Sequence, residues 1–100
     1  MSKLFVIYYT QGDAWQEGKP FFEQDLGAHG TYMKQLYDNQ QLVKGGPFLD
    51  DSGGMSLIEV ETIEAAQAIV DADPAVVNGV FKARLHPWYS VDWDEYGSQE

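Results

Sequence analysis

The chain has 100 residues, the length of one domain, and its 44% hydrophobic and 14% aromatic content predicts a packed core rather than disorder. Six basic residues against sixteen acidic ones give a formal net charge of −10, which disfavours nucleic acid and anionic membrane surfaces as partners. The chain contains no cysteine, which excludes disulfides, thiolate metal sites and a cysteine nucleophile, and is typical of a reducing compartment.

The amino-terminal region has one short apolar run, which ends at Gln11-Gly12-Asp13. A signal peptide needs a longer apolar core with a small-residue cleavage site, and a membrane helix needs about 20 apolar residues. We therefore expect a cytoplasmic protein that does not associate with membranes.

The first predicted strand covers residues 3–10 and is apolar or aromatic on both faces: one face carries Leu4, Val6 and Tyr8, the other Phe5, Ile7 and Tyr9. A strand with two apolar faces is usually covered on both. The chain is too small to supply both covers, so a second copy of it is the expected partner.

The polar segment 11–19 follows and contains two glycines and Trp15. Two interpretations of Trp15 stay open: it holds this loop against the core, or it closes as an aromatic lid over a ligand pocket.

An amphipathic helix is predicted from Phe22 onwards, with Pro20 in its first turn. Its apolar positions follow a spacing of four and three residues and include one of the two histidines: Phe22, Leu26, His29, Met33 and Leu36. Gly27 and Gly30 flank this histidine, which suggests that a strand, a partner chain or a ligand approaches the helix there.

Two strands, 42–49 and 55–62, are predicted to form a hairpin around a turn at residues 50–54. A second helix starts with Thr62 as N-cap and ends at Asp73-Pro74, because the residue before a proline is pushed out of helical geometry. A last strand covers residues 79–88. The acidic segment that follows has no period, and its Trp93 and Tyr96 are candidates to anchor it on a neighbouring subunit.

The order strand, helix, strand, strand, helix, strand predicts an α+β, ferredoxin-like βαββαβ fold with a four-stranded antiparallel sheet and both helices on one face. The domain is expected to span residues 1–90, and residues 91–100 form an acidic C-terminal tail. The other sheet face is left uncovered and apolar, which predicts a homodimer through this face.

This topology brings the 11–19 loop, the start of the first helix, the 50–54 turn and the Asp73-Pro74 connection to one end of the sheet, around His29. An imidazole can take or give a proton near neutral pH, and a histidine that does so normally has a carboxylate partner. Asp73 is the first candidate, with Asp50 and Asp51 behind it. Two structural alternatives stay open: His29 is a core residue bonded to backbone, and Asp73 is a cap or turn residue.

Metal and cofactor sites are not expected. His86 is predicted to be structural and to lie at the opposite end of the sheet, and two dispersed histidines without cysteine make a poor ligand set. No dinucleotide-binding, phosphate-binding or nucleophile-elbow motif is present. The pair Gly45-Gly46 is more consistent with a sheet bend or with a group that approaches the backbone closely.

Several short motifs, in this order and at these separations, resemble the YCII-related family of ferredoxin-like, dimeric α/β-barrel proteins over about residues 4–88. They are Ala28-His29 with Tyr32-Met33 and Leu36, Leu42 with Gly46-Pro47-Phe48, Glu64-Ala65-Ala66, Asp73-Pro74, Gly79-Val80 and Pro87-Trp88. The resemblance implies a cleft with a His–Asp pair, here His29 and Asp73. Some relatives remove chloride from, or rearrange, small hydroxylated ring compounds.

The chain departs from the family pattern at three positions. Gln40 stands where a glycine commonly follows the first helix, so the usual left-handed cap is expected to be lost or replaced. Gly30 replaces a leucine, and Gly54 replaces a serine, for which Ser52 or Ser56 could substitute.

The predicted function is therefore small-molecule chemistry of the elimination or isomerisation type, with His29 and Asp73 as catalytic residues and proton transfer as the key step. The predicted substrate-binding residues are Trp15, Tyr32, Gly46, Pro47 and Ser56. One alternative is a non-catalytic small-molecule binding or regulatory module, and another is a structural dimer in which His29 bonds a backbone carbonyl.

Overall fold

A computed structural model describes residues 1–97. The strands are β1 (Lys3–Gln11), β2 (Leu42–Pro47), β3 (Gly53–Val60) and β4 (Phe81–Trp88), and the helices are α1 (Gly27–Asp38), α2 (Ile63–Ala72) and α3 (Pro74–Val77). All strand pairs are antiparallel, in the order β2-β3-β1-β4. The predicted α+β fold with a four-stranded antiparallel sheet is confirmed.

The core lies between one face of the sheet and the helices. The inward residues Phe5, Ile7 and Tyr9 of β1 pack in one cluster with Ile58 of β3 and Phe81 of β4. Helix side chains complete this cluster, among them Leu36, Ala66, Ile69 and Val70. The outward residues of β1 and β3 do not belong to it. Within the described part of the chain no helix is long and apolar enough to cross a membrane.

The first helix begins later than the apolar period predicts. Residues Phe21–Glu23 form a separate 3-10 turn, and α1 starts only at Gly27. The interruption falls at Gln24, whose backbone is extended (φ −79°, ψ 160°) and whose buried side chain bonds the backbone of Gln16 and of Lys19. The Gln24 side chain thus stabilises the 11–19 loop and does not belong to the helix. Phe22 is 72% exposed and does not lie on the apolar face of α1.

The second helix begins as predicted, since the Thr62 Oγ1 accepts a hydrogen bond of 3.0 Å from the Ala65 N–H. It ends at Ala72, before Asp73-Pro74, but the chain turns at once into the short α3 that the sequence did not predict. The turn of the hairpin occupies residues 48–52 rather than 50–54. As a result β2 ends two residues earlier than predicted, and β3 begins and ends two residues earlier.

The end of α1 keeps a left-handed residue without a glycine. Gln40 has φ +63°, its N–H donates to the Tyr37 carbonyl, and the Gln41 N–H donates to the Leu36 carbonyl. These two bonds define a Schellman motif, in which Gln40 occupies the position that usually carries glycine. Of the two expected outcomes, loss or replacement, the structure has the second: Gln40 replaces the usual glycine, and the left-handed backbone is retained.

We expect the Gln40→Gly variant to be more stable than the unchanged protein. The left-handed backbone destabilises a residue with a Cβ by about 1–2 kcal/mol, and glycine removes this penalty. Glycine also loses more backbone entropy on folding, which offsets part of the gain. The free energy of unfolding in urea should rise by about 1 kcal/mol. Asn39→Gly is the matched control, because Asn39 has φ −85° and gains nothing from glycine. Equal effects of the two changes would contradict this account.

The segment after β4 contains a turn at Asp92, whose carboxylate accepts hydrogen bonds from the backbone of Asp94 and Glu95. The rings of Trp93 and Tyr96 contact each other at a centroid distance of 4.9 Å, and both residues are 71% exposed. Their role as anchors on a neighbouring subunit stays a prediction. Residues 98–100 of the predicted tail lie outside the described residues.

Candidate functional site

Asp73 lies at the junction between α2, which ends at Ala72, and α3, which begins at Pro74. Its Oδ1 accepts a hydrogen bond of 2.9 Å from the Ala75 N–H and so caps α3. The residue is only 2% exposed. The capping interpretation of Asp73 therefore holds, but it accounts for only part of the carboxylate.

The same carboxylate holds His29. The His29 Nδ1 lies 2.8 Å from Oδ1 and 2.9 Å from Oδ2 of Asp73, although the two residues are 44 positions apart in the sequence. An ionised carboxylate only accepts hydrogen bonds, so Nδ1 carries a proton and donates it. In the neutral ring this leaves the lone pair on Nε2.

Nε2 is accessible. Among residues 1–97 none is hydrogen-bonded to this atom, and no buried side-chain nitrogen or oxygen in that part of the chain lacks a partner. Nε2 must therefore reach the accessible surface, and the His29 side chain is 17% exposed. The histidine is held through one nitrogen and open through the other, which is the arrangement that a general base requires.

Two aromatic rings fix the plane of the imidazole. Tyr9 and Phe81 each meet it edge to face, with centroid distances of 5.6 Å in both pairs and interplanar angles of 82° and 80°. Both come from inward positions of neighbouring strands, and Trp15 stacks behind Phe81 at 5.9 Å. The packing prevents the ring from rotating away from Asp73.

A cavity of about 230 Å³ opens beside His29. Its walls come from β1, β2, β3, β4, α1 and the 3-10 turn, and are mainly apolar, with polar groups from only three side chains: His29, Tyr9 and Ser56. The remaining lining residues are Phe21, Leu26, Gly30, Met33, Leu42, Gly45, Gly46, Pro47, Gly54 and Phe81. A mostly apolar wall with a few convergent polar groups is typical of small-molecule sites.

The structure brings together most of the residues that the sequence singled out. His29, Gly46, Pro47 and Ser56 line the cavity, and Asp73 holds His29 from behind. Ser56, rather than the exposed Ser52, supplies a hydroxyl to the cavity wall.

Two predicted binding residues do not line the cavity. Trp15 is 8% exposed, belongs to the core cluster and borders a separate polar groove with Lys19 and Asp51. This position fits a residue that holds its loop against the core and does not fit a lid over His29. Tyr32 donates a hydrogen bond of 2.7 Å from its hydroxyl to the Ile69 carbonyl and so ties α1 to α2.

The other two candidate acids have different partners. Asp51 uses its Oδ1 to accept a hydrogen bond of 3.0 Å from the Phe21 N–H, which attaches the 3-10 turn to the hairpin. Asp50 accepts hydrogen bonds from the hydroxyl and the N–H of Ser52, and these bonds lower the pKa of the Asp50 carboxyl. Asp73 is thus the acid that contacts His29. His86, on the exposed outer face of β4, pairs with Val6 and is remote from this cavity.

Sequence reasoning missed Tyr9 and Phe81 as site residues. The available signal was the alternation in β1, which already assigned Tyr9 to the same face as Phe5 and Ile7, at the strand end where the loops converge. A tyrosine at the end of a buried strand face places a hydroxyl at the rim of the core. This position adds a polar group to the cavity.

Tyr9 and Tyr32 keep their hydroxyl protons to high pH. Burial raises the pKa of Tyr9 far above its usual value, and the hydrogen bond with Ser56 only partly opposes this. Burial and then the nearby Asp73 also raise the pKa of Tyr32. At neutral pH the cavity therefore contains a neutral phenol beside the His29–Asp73 pair.

We expect alkaline pH to destabilise the protein through Tyr9. The unfolded chain releases the tyrosine proton near pH 10, whereas the folded chain retains it, so the folded state binds more protons and its stability falls as pH rises above 10. Tyr9 alone should account for a loss of about 1 kcal/mol by pH 11. Urea unfolding at pH 8 and pH 11 measures this loss, and Tyr9→Phe should lose less by about that amount. The same loss in both proteins would contradict the assignment.

Within the described residues no group of three or more His, Asp, Glu or Cys side chains could hold a metal ion.

The comparisons with known proteins agree with this fold. The sequence profile of the YCII-related domain family matches residues 1–88. Uncharacterized protein YjpA of Bacillus subtilis is 31% identical over 68 residues, which cover 68% of this chain and 80% of YjpA. Protein YciI of Escherichia coli is 33% identical over 92 residues, which cover 79% of this chain and 88% of YciI.

A solved structure is also similar to this chain. It is 5-chloro-2-hydroxyhydroquinone dehydrochlorinase (TftG) from Burkholderia phenoliruptrix, in complex with 2,5-dihydroxybenzoquinone. The TM-score is 0.69 at 24% identity, over 88% of this chain and 95% of TftG, which shows a shared fold. The profile match over 88 of the 100 residues shows that the chain belongs to the YCII-related family.

Proposed function

We propose that this protein is a small-molecule enzyme in which His29 and Asp73 transfer a proton in an elimination or isomerisation. The observation that carries the proposal is the geometry of His29, whose Nδ1 is held by both oxygens of a buried carboxylate while Nε2 stays accessible beside a cavity. A packed core histidine needs no such opening.

The chemistry follows from the two nitrogens. Nε2 takes a proton from the substrate, and the electron pair left behind forms a double bond. In an elimination the leaving group departs with its bonding pair. In an isomerisation a neighbouring double bond opens as the new one forms, and its far atom uses that electron pair to take the proton back from Nε2. The Asp73 carboxylate stabilises the imidazolium that forms and keeps the ring in the tautomer that can accept a proton. A positioned base of this kind contributes about 10²–10⁴-fold to a rate.

The fold neighbour supports the choice of reaction class. TftG is named for dehydrochlorination of a hydroxylated ring, which is an elimination, and its bound 2,5-dihydroxybenzoquinone is a small planar ring. The cavity of about 230 Å³ beside His29, with its aromatic and aliphatic walls, is suited to a compound of this size and polarity. We extend only this class of substrate, small hydroxylated rings, to the present chain.

The test is turnover of a panel of hydroxylated ring compounds that begins with 5-chloro-2-hydroxyhydroquinone. Chloride release reports elimination, and exchange of ring hydrogens with deuterated solvent reports proton transfer without a leaving group. The unchanged protein should accelerate one of these reactions over His29→Asn and over buffer. Rates equal to those of His29→Asn across the whole panel would contradict the proposal, and ligand binding with such rates would favour the non-catalytic binding module.

We also propose that two copies pair through the uncovered sheet face. Tyr8 is 41% exposed there, Met55 44% and Trp88 48%, and Tyr8 and Met55 are direct partners across β1 and β3. Burial of this face in a second copy would remove an apolar surface from water. The proposed location, the cytoplasm, rests on the cysteine-free composition.

Light scattering coupled to size exclusion tests the dimer. The unchanged protein should elute with twice the chain mass of 11.3 kDa. Met55→Lys should shift it towards the monomer, because a charge on an apolar interface is costly. Gln35→Lys, on the exposed side of α1, is the control and should not shift it. A monomer mass for the unchanged protein at micromolar concentration would contradict the proposal.

A further inference from the structure

The hydroxyls of Tyr9 and Ser56 form a pair in the cavity wall. The Tyr9 Oη lies 3.2 Å from the Ser56 Oγ, and both residues are 3% exposed. They come from neighbouring strands, β1 and β3, in which Ser56 is opposite Ile7 and Tyr9 is opposite Gly54. The pair is therefore fixed by the sheet register and not by a mobile loop.

Gly45 keeps the Ser56 hydroxyl free of a neighbouring side chain. It faces Ser56 across β2 and β3, and a Cβ at Gly45 would lie only 2.8 Å from the Ser56 Oγ. Gly54 has a different role, because a Cβ there would lie 2.8 Å from the Gly46 carbonyl oxygen. Open space in the cavity wall lies at Gly30 and Gly46, where an added Cβ would meet no atom within 4 Å.

The pair has one hydroxyl hydrogen that its mutual hydrogen bond does not use. Each hydroxyl carries one O–H, so the two residues have two donors, and their mutual bond uses one of them. The structure shows no acceptor for the second O–H in residues 1–97. Whichever hydroxyl donates within the pair, one O–H is left available to the cavity.

We propose that Tyr9 and Ser56 bind a carbonyl or phenolic oxygen of the ligand by donating this hydrogen bond. The inference rests on the proposed function and deepens it: when His29 takes a proton, negative charge moves onto such an oxygen, and a neutral donor aimed at it stabilises the charge as it forms. Tyr9 is suited to this task because its ring also contacts the His29 ring edge to face.

Two further observations define the ligand chemistry. Burial keeps the Tyr9 hydroxyl protonated, so the pair stays a donor throughout the physiological pH range. No lysine or arginine is among the described residues that line the cavity, and the histidine is already paired with a carboxylate. The site therefore favours a carbonyl or phenolic oxygen whose charge, if any, is spread over a ring, over the localised charge of a carboxylate or phosphate, which needs a positive partner.

The test compares binding of 2,5-dihydroxybenzoquinone to the unchanged protein, to Tyr9→Phe, to Ser56→Ala and to the double variant, by absorption titration. Each single variant keeps one O–H but loses the mutual bond that orients it. Each should therefore weaken binding several-fold, and the double variant, which has no donor left, should weaken it more than either, by about 10-fold. Tyr8→Phe is the matched control on the opposite sheet face and should bind like the unchanged protein.

Infrared spectroscopy of the bound ligand provides a readout that a purely structural role would not change. The carbonyl stretch should fall on binding to the unchanged protein, because a donated hydrogen bond weakens the C=O bond, and should return towards its free value in the double variant Tyr9→Phe/Ser56→Ala. Thermal unfolding checks that the variants are folded. Equal affinity in all proteins, no binding to the unchanged protein, or a carbonyl stretch that does not respond to the double substitution would overturn the inference.

The outcome is separable from that of the proposed reaction. If binding depends on Tyr9 and Ser56 but no panel compound is turned over, the donor site stands and the enzyme proposal fails. If turnover depends on His29 but the affinity and the carbonyl stretch do not change in the Tyr9 and Ser56 variants, the enzyme proposal stands and the donor site fails.

Discussion

The His29→Asn variant is expected to lose about 10²–10⁴-fold in the turnover of any substrate found in the panel, which is the contribution of a positioned general base. Asparagine is chosen because its Nδ2 occupies nearly the position of the imidazole Nδ1. It can therefore still donate to Asp73, which Nδ1 now contacts at 2.8 Å and 2.9 Å. The variant removes the Nε2 atom and little else.

Stability separates this prediction from a structural role of the histidine. We expect the free energy of unfolding of His29→Asn to fall by less than about 1.5 kcal/mol, because the buried carboxylate keeps a donor. His29→Ala should lose about 3 kcal/mol, since it leaves that carboxylate with the Ala75 N–H as its remaining bond partner. Turnover by His29→Asn near the rate of the unchanged protein would show that Nε2 is not the base.

Asp73→Asn and Asp73→Ala should separate the two roles of the carboxylate. The asparagine can still cap α3 through its Oδ1, which would accept from the Ala75 N–H as Asp73 does now at 2.9 Å. Its amide then presents N–H groups to the His29 Nδ1, so the ring is driven to the tautomer with the proton on Nε2. In that tautomer Nε2 cannot accept a proton, and we expect turnover to fall by about 10²-fold or more.

Asp73→Ala should lose both functions. The free energy of unfolding should fall by about 3 kcal/mol, from loss of the cap and of the His29 partner, against about 1 kcal/mol for Asp73→Asn. Thr62→Ala is the matched control, since it removes the cap of α2, a bond of 3.0 Å, at a distance from His29. It should cost about 1 kcal/mol and leave turnover unchanged. Full turnover by Asp73→Asn would contradict the positioning role.

The fold was largely predictable because its signals are local. The Phe, Val, Ile and Tyr residues of β1, the N-cap at Thr62 and the proline after Asp73 each specify an element or its limit within a few residues. The connection order then leaves few topologies for a sheet of four strands. The start of α1 was not predictable from its apolar period, because the buried Gln24 side chain bonds a loop that lies earlier in the sequence. Such a tertiary contact has no local signature.

The candidate site was predictable only in part, for a related reason. His29 and Asp73 are chemically distinctive, and the order of elements places them at the same end of the sheet, so the structure brings them together as expected. Trp15 and Tyr32 were selected by residue type, but aromatic side chains bury as readily in a core as in a pocket wall. The cavity wall is open at Gly30 and Gly46, where an added Cβ would meet no atom within 4 Å, and the sequence does not tell whether a neighbour fills such a space.

The role of Asp73 in holding His29 as a base is tested by the tautomer of His29, measured by long-range 1H–15N NMR on the uniformly labelled protein at a pH where the ring is neutral. We predict the proton on Nδ1, with Nε2 showing the shift of an unprotonated ring nitrogen. His86, which is exposed on the outer face of β4, serves as the internal reference for a histidine in solvent. A proton on Nε2 of His29 would contradict the account, because Asp73 would then not hold the ring as a base.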